Sequence, residues 1–245
     1  VVAKGKKHYE IVLDKTPFYA EMGGQVGDKG VLVSDNETIN VVNTVKENDL
    51  SIHITESLPQ QPEANFIAKV DAERRLKIEA NHTATHLMHA ALRQVLGTHV
   101  EQKGSLVDDE RLRFDFSHFA KMSDEEIRKV EAIVNQKIRE DLQNQTAVDV
   151  PIDEARKMGA MALFGEKYGD KVRVVTFGSD YSCELCGGTH IPSTGRIGAF
   201  KILTESAIAA GVRRIEAITG EAVLEYLDNQ IDTLNKVKTQ IGRAS

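Results

Sequence analysis

Four side chains with metal-binding chemistry fall into two matched pairs. His82 and His86 stand four apart within Asn81-His82-Thr83-Ala84-Thr85-His86, in a stretch whose pattern predicts a helix. Both imidazoles then leave one face and can meet the same ion. Cys186 and His190 repeat that spacing much further along, in Cys186-Gly187-Gly188-Thr189-His190. The glycines there permit a turn that folds a thiolate and an imidazole inward. Together the pairs offer two to four soft or borderline ligands, a set that suits zinc.

Each half alone says little, because a histidine on an amphipathic helix is usually an ordinary half-buried residue and a cysteine is usually inert core. The conjunction says more, since no packing rule requires a second Cys/His pair on a turn. His89 shares the helical face of His82 and His86 and competes as a ligand. Cys183 stands three before Cys186, giving a C-x-x-C that also reads as a zinc-ribbon half or a redox pair. A redox pair opens a helix after a strand, whereas Gly187-Gly188 argues for a turn, so the metal reading is preferred.

The elements that must position these residues can be read in chain order. Short β-like segments, Tyr9 to Leu13, Gly30 to Val33, Thr38 to Val42 and Ser51 to Ile54, are separated by turn residues such as Ser34-Asp35-Asn36 and Glu47-Asn48-Asp49. Strands at this spacing predict a small barrel over 1–68. Between the first two lies the glycine-rich loop Thr16 to Asp28, open to backbone approach by another chain or ligand. Its Gly23-Gly24-Gln25 matches the short ester-cleaving motif of peptide release factors, but three residues cannot carry that function.

Asp71 is the expected N-cap and Gly97 the expected stop of the helix bearing the His pair, with Leu76, Leu87, Leu92, Val95 and Leu96 as its buried stripe. A hairpin is expected from Thr98 to Ser117, turning at Asp108-Asp109-Glu110, with a bulge or site wall at Glu101 to Ser105. Ser123 to Glu126 is a capping box for a helix reaching Leu142. Then come a strand (Val148 to Ile152), a short helix (Asp153 to Gly159), a strand (Lys171 to Phe177) leading straight into the Cys/His turn, and two strands around Gly195 to Thr204 and Gly211 to Thr219, joined by 205–210. The expected class is thus α+β, with a sheet-and-helix unit over 69–219. From Gly220 to 245, Leu224, Leu227, Ile231, Leu234 and Ile241 take a and d positions, with Lys238 interrupting, as at the start of a coiled coil.

Composition bounds the rest. With 41% hydrophobic residues, a chain of 245 residues can build a substantial core, and no run is long enough to span a membrane. Two cysteines three apart cannot form a long-range staple, which fits a reducing compartment and a cytoplasmic location. A net charge of -6 excludes a broadly basic nucleic-acid coat, so RNA contact must use local patches such as Arg74-Arg75 with Lys77, Arg111 with Arg113, or Arg213-Arg214. The chain shows no signal peptide, opens at Val1 without Met and ends inside a heptad pattern; it reads as a fragment of a longer protein.

The run Phe18 to Asp28, the His82-Thr-Ala-Thr-His86 helix, Gln102-Lys103-Gly104-Ser105 and Cys186-Gly-Gly-Thr-His190 together resemble the editing region of bacterial-type alanyl-tRNA synthetases, over nearly the whole chain. Threonyl-tRNA synthetase editing domains resemble the two metal pairs without the N-terminal signature, and free-standing alanyl editing proteins resemble that as well. The helical ending favours the synthetase itself. The resemblance implies hydrolysis of tRNA(Ala) wrongly charged with serine or glycine, with tRNA(Ala) and the remaining synthetase domains as partners; aminoacylation and ATP binding would lie outside this chain. It implies Zn2+ held by His82, His86, Cys186 and His190, with Gln102 bonding substrate or water and Thr85 and Thr189 near the substrate; since four protein ligands close the site, either His190 is a weak, catalytically important ligand displaced by substrate or water, or the zinc only positions the ester and the 3′ end. Two other readings stay open: an RNA-binding module with a structural zinc, and an unrelated zinc hydrolase of small esters or amides. Oligomerisation through the C-terminal helix is a further expectation, and no membrane contact is expected.

Overall fold

The computed structural model describes residues 2–4, 8–162, 169–179 and 181–242. Strands β1 (Val2–Lys4), β2 (His8–Val12), β3 (Gly30–Val33), β4 (Thr38–Glu47), β5 (Leu50–Thr55) and β6 (Ile67–Val70) form one antiparallel sheet in the order β1-β2-β5-β4-β3-β6. The β4–β5 hairpin turns at Asn48 and Asp49, whose φ of 48° and 66° are of the kind short polar side chains tolerate. Ile11, Phe18, Leu32, Ile39 and Val41 make this sheet's core. Pairing among the described residues runs from β1 to β6 without joining them, so the sheet is open in its hydrogen bonding where the strand spacing predicts a barrel.

Helix α1 (Ala72–Leu96) follows, with the Asp71 carboxylate accepting from Arg74 N at 3.0 Å and Gly97 ending it at φ 116°. The predicted stripe is right for Leu87 and Leu92, which are fully buried, but Leu76 is 39% exposed. The reason is that α1 changes environment along its length. Residues 72–77 are exposed or half-buried, whereas every residue from Ala80 to Leu92 is buried, so a one-faced pattern does not describe it.

The hairpin β7 (Gln102–Val107) and β8 (Leu112–Ser117) carries the expected bulge, a register shift between Gln102 and Gly104. Helix α2 (Asp124–Arg139) begins with a complete Ser123/Glu126 capping box and stops short of Leu142, because the chain turns at Asp141, φ 50°. Strand β9 (Asn144–Pro151), helix α3 (Ile152–Lys157), β10 (Lys171–Phe177) and β11 (Ser182–Leu185) come next. Thus β9 starts before Val148, Ile152 is helical, and β10 does not run straight into the Cys/His turn; β11 intervenes and hydrogen-bonds back to β10. A 3-10 turn over Thr194–Ile197 precedes β12 (Phe200–Ala209) and β13 (Val212–Thr219). The segment 205–210, read as a connection, is mostly strand: Glu205, Ser206 and Ala207 pair with Ile215, Arg214 and Arg213.

Two more sheets result, β12-β13-β8-β7 and β11-β10-β9, and α1 and α2 pack on them around Leu87, Met88, Leu92, Phe114, Phe116, Val130 and Val134, all fully buried. The class is mixed α and β with antiparallel sheets, as expected. Helix α4 (Glu221–Gly242) leaves at Gly220; Val223 is buried, but Leu224, Leu227, Ile231, Leu234, Val237 and Ile241 are 43–66% exposed. Among the described residues, no helix is long and apolar enough to cross a membrane.

Candidate metal centre

The buried middle of α1 and the turn after β11 bring the two predicted pairs together. One ligand atom from each of His82, His86, Cys186 and His190 lies within 4.8 Å of the other three. Cys186 Sγ stands 3.5 Å from His82 Nε2 and 3.4 Å from His190 Nε2. Burial pushes the His82 imidazole down to about 3, with neighbouring His86 adding to it, and burial likewise holds His190 well below and His86 below the ordinary value. At neutral pH these rings are therefore uncharged and keep a lone pair for a metal.

Hydrogen bonds around the group orient it. Thr189 N donates to Gln25 Oε1 at 2.9 Å, which identifies that atom as the amide oxygen, and His82 Nδ1 lies 2.7 Å from the same oxygen. An oxygen can only accept, so His82 carries its proton on Nδ1 and turns the bare Nε2 toward Cys186. Gln25 Nε2 donates to Thr189 Oγ1 at 2.9 Å, tying the turn a second time. Thr83 Oγ1 pairs with His190 Nδ1 at 3.0 Å and accepts from Ile191 N. Arg173 Nη1 donates to the carbonyls of Cys186 and Gly188 at 2.8 and 2.7 Å. Gly188 has no alternative here: a Cβ on it would sit 2.1 Å from His82 Cε1.

Gln25 comes from the glycine-rich loop between β2 and β3. That loop is pinned to β7 by Val107 N donating to Gly24 O at 2.7 Å and Val26 N to Val107 O at 3.1 Å, and to α1 by the Arg75–Asp28 ion pair, whose aspartate is buried. A cavity of 260 Å³ opens above the group, walled by Tyr19, Met22 and Gly23 from the loop, His82, Thr85 and His86 from α1, Gln102 and Ser105 from β7, and Glu184 to Gly188.

Of the residues singled out from sequence, His82, His86, Cys186, Thr85 and Gln102 line this cavity, whereas His190 and Thr189 do not. The Thr85 hydroxyl donates to Asn81 O within the helix. His89 is not in the four-residue group; its Nδ1 pairs with Glu184 Oε1 at 3.3 Å. Cys183 and Cys186 form no disulfide, and Cys183 turns the other way, accepting from the Thr176 hydroxyl beside the small core of Ala155, Val172 and Val174. Gln25, Thr83, Arg173 and Glu184 were not assigned to the site from sequence. Their partners lie on other elements, and only the glycines flanking Gln25 hinted at a close approach.

The donor set fits a zinc ion: three neutral imidazoles and a sulfur, with the Nδ1 of His86 buried and without a hydrogen-bond partner. Residues 1–74 match the family described as tRNA synthetases class II (A), and residues 172–216 match the threonyl and alanyl tRNA synthetase second additional domain. The chain thus carries a match to a class II synthetase model and, further along, one to such an additional domain. It is 60% identical over 237 residues to the alanine–tRNA ligase of Cytophaga hutchinsonii, covering 97% of this chain and 27% of that protein. The alanine–tRNA ligase of Bacteroides fragilis (strain YCH46) is 59% identical over 244 residues, 100% of this chain and 28% of that protein. For that of Salinibacter ruber the identity is 52% over 234 residues, 96% and 24%. The chain belongs to the alanyl-tRNA synthetase family. It spans about a quarter of the length of the curated relatives it matches.

Proposed function

We propose that this chain is a zinc-dependent aminoacyl-tRNA hydrolase that removes serine or glycine from wrongly charged tRNA(Ala). The observation that carries the reading is the convergence of His82, His86, Cys186 and His190 within 4.8 Å under an open cavity, in a chain of this family. Such an activity answers a physical limit: glycine is smaller than alanine and serine adds only a hydroxyl, so an alanine pocket cannot reject both by binding alone.

In this reading the four residues hold Zn2+, which when bound acts as a Lewis acid on the ester or lowers the pKa of a water. Gln25, Thr83 and Arg173 keep the donors facing inward. Gln102, on the cavity wall at the β7 bulge, offers its amide to the ester carbonyl or to the attacking water. Thr85 presents hydroxyl lone pairs to the same space, and Thr189 acts through Gln25. Catalysis would need an open coordination position, and His190 is the donor that would give up its place for it. The units 1–68, 69–219 and 220–245 serve as support, editing domain and linker; tRNA(Ala) and the rest of the synthetase are the partners, the cytoplasm the location, and α4 the element for any self-association.

Four protein donors also favour a second reading, a structural zinc in an RNA-binding module. Deacylation of Ser-tRNA(Ala) beside Ala-tRNA(Ala) separates the two, measured with the wild type, Cys186→Ala and a chelated sample while tRNA binding is followed in parallel. Selective loss of serine that disappears with the thiol or the metal supports the hydrolase. Retained tRNA binding with an intact ester in the metal-loaded wild type supports the binding module.

A further inference from the structure

Behind His86 lies a buried carboxylate that the proposed chemistry does not use. Glu184, on β11, is 2% exposed and shares its two oxygens between two histidines of α1: Oε1 stands 3.3 Å from His89 Nδ1, and Oε2 stands 3.7 Å from His86 Nε2. A carboxylate this deep is expensive to bury unless it has partners. His86 and His89 are the side chains whose ring nitrogens face its oxygens among the described residues. The packing leaves them little freedom. His89 lies against the Phe114 ring with centroids 5.2 Å apart, and β11 is held to β10 through the Val175–Glu184 pairing.

We infer that Glu184 and His89 are a positioning pair for His86: the His89 N–H anchors the carboxylate, and the carboxylate fixes the orientation of the His86 imidazole within the metal-binding group. Imidazole ligands are commonly oriented by an outer carboxylate in this manner, and removing such a partner costs roughly 10- to 100-fold in metal affinity. The arrangement also explains the place of His89. It stands one helical turn beyond His86 on the face of the two histidine donors, yet belongs to the layer behind them. This inference rests on the proposed metal centre.

The test is metal affinity and geometry rather than turnover. Zinc affinity is measured by competition with a chromophoric chelator, and the ligand field by the visible spectrum of the cobalt(II)-loaded protein, for the wild type, Glu184→Gln, His89→Leu and His89→Asn. The asparagine amide retains a donor near the place of Nδ1, whereas leucine retains only bulk. The expected result is a 10- to 100-fold loss of affinity with a changed cobalt spectrum for Glu184→Gln and His89→Leu, and substantial recovery in His89→Asn. If Glu184→Gln does not fold by circular dichroism, the contrast between the two His89 variants decides. Equal affinity and identical spectra in wild type and folded variants overturn the positioning pair and leave the metal centre standing. A wild type that binds no zinc overturns the metal centre itself, and the pair's role with it.

Discussion

Gln25 Oε1 accepts from both His82 Nδ1, at 2.7 Å, and Thr189 N, at 2.9 Å, although the loop that bears it lies 164 residues before that turn. A residue of the N-terminal sheet's loop is therefore built into the floor of a centre whose donors all come from later in the chain. Replacing Gln25 with Leu strands the buried His82 N–H, at about 1–3 kcal/mol, and the half-buried Thr189 N–H at less. The expected outcome is a lower urea midpoint together with zinc binding weakened roughly tenfold or more, read by a chelator competition. Unchanged zinc affinity in a folded Gln25→Leu protein would show that the contact does not orient His82.

The two adjacent glycines of the turn should respond very differently to a methyl group. At Gly188 a Cβ would lie 2.1 Å from His82 Cε1 and 2.7 Å from Gln25 Oε1, both on buried side chains. At Gly187 it meets only the Met22 terminal methyl at 2.8 Å, which can swing aside. Gly188→Ala is expected to lose stoichiometric zinc and Gly187→Ala to keep it, as measured by metal content after dialysis.

Holding and using the metal are separable roles. Cys186→Ala removes a donor and should abolish both zinc retention and deacylation of Ser-tRNA(Ala). Gln102→Ala leaves the donors intact, so zinc content should match the wild type while deacylation falls on the order of a hundredfold, the usual scale for one lost transition-state hydrogen bond. Full activity in Gln102→Ala would remove this residue from the reaction.

A pH effect is expected far from the metal, at His53. Its ring is fully buried in β5, with Nδ1 3.0 Å from Ile11 O and Nε2 2.7 Å from Thr16 Oγ1. Burial lowers its pKa, against the opposing backbone hydrogen bond. The unfolded chain, with an ordinary value of 6.5, then binds the proton first as pH falls. The His53 contribution is thus constant above 6.5 and destabilising below it, down to the lowered folded value. Urea unfolding of wild type and His53→Gln at pH 7.5 and 5.5 should give a smaller pH-dependent loss in the variant. Equal losses would place the pH sensitivity elsewhere.

Sequence patterns foretold what is local. The His82/His86 and Cys186/His190 spacings, the Asp71 cap, the Ser123 capping box and the bulge at Gln102 each depend on neighbours within a few positions, and each is found. What escaped was set by distant partners. Leu76 sits in a helical stripe by spacing, yet nothing covers that end of α1 enough to bury it. The segment 205–210 reads as a connection because its short run of small residues carries no strand pattern, and it is pairing with β13 across the ribbon, where Arg213 meets Glu205, that makes it strand. Glu184 looks like any strand glutamate until α1 lies across it.

Helix α4 joins the body through one turn at Gly220 and Val223, and its remaining length of about 28 Å stands clear. It is a lever. A 10° rotation at that junction sweeps the free end by about 5 Å, given the helix rise per residue. The junction follows Thr219, whose hydroxyl donates at 2.7 Å to Asn81, the residue preceding His82. The foot of that lever is thus tied, by one hydrogen bond, to the residue that precedes the first donor of the proposed metal group.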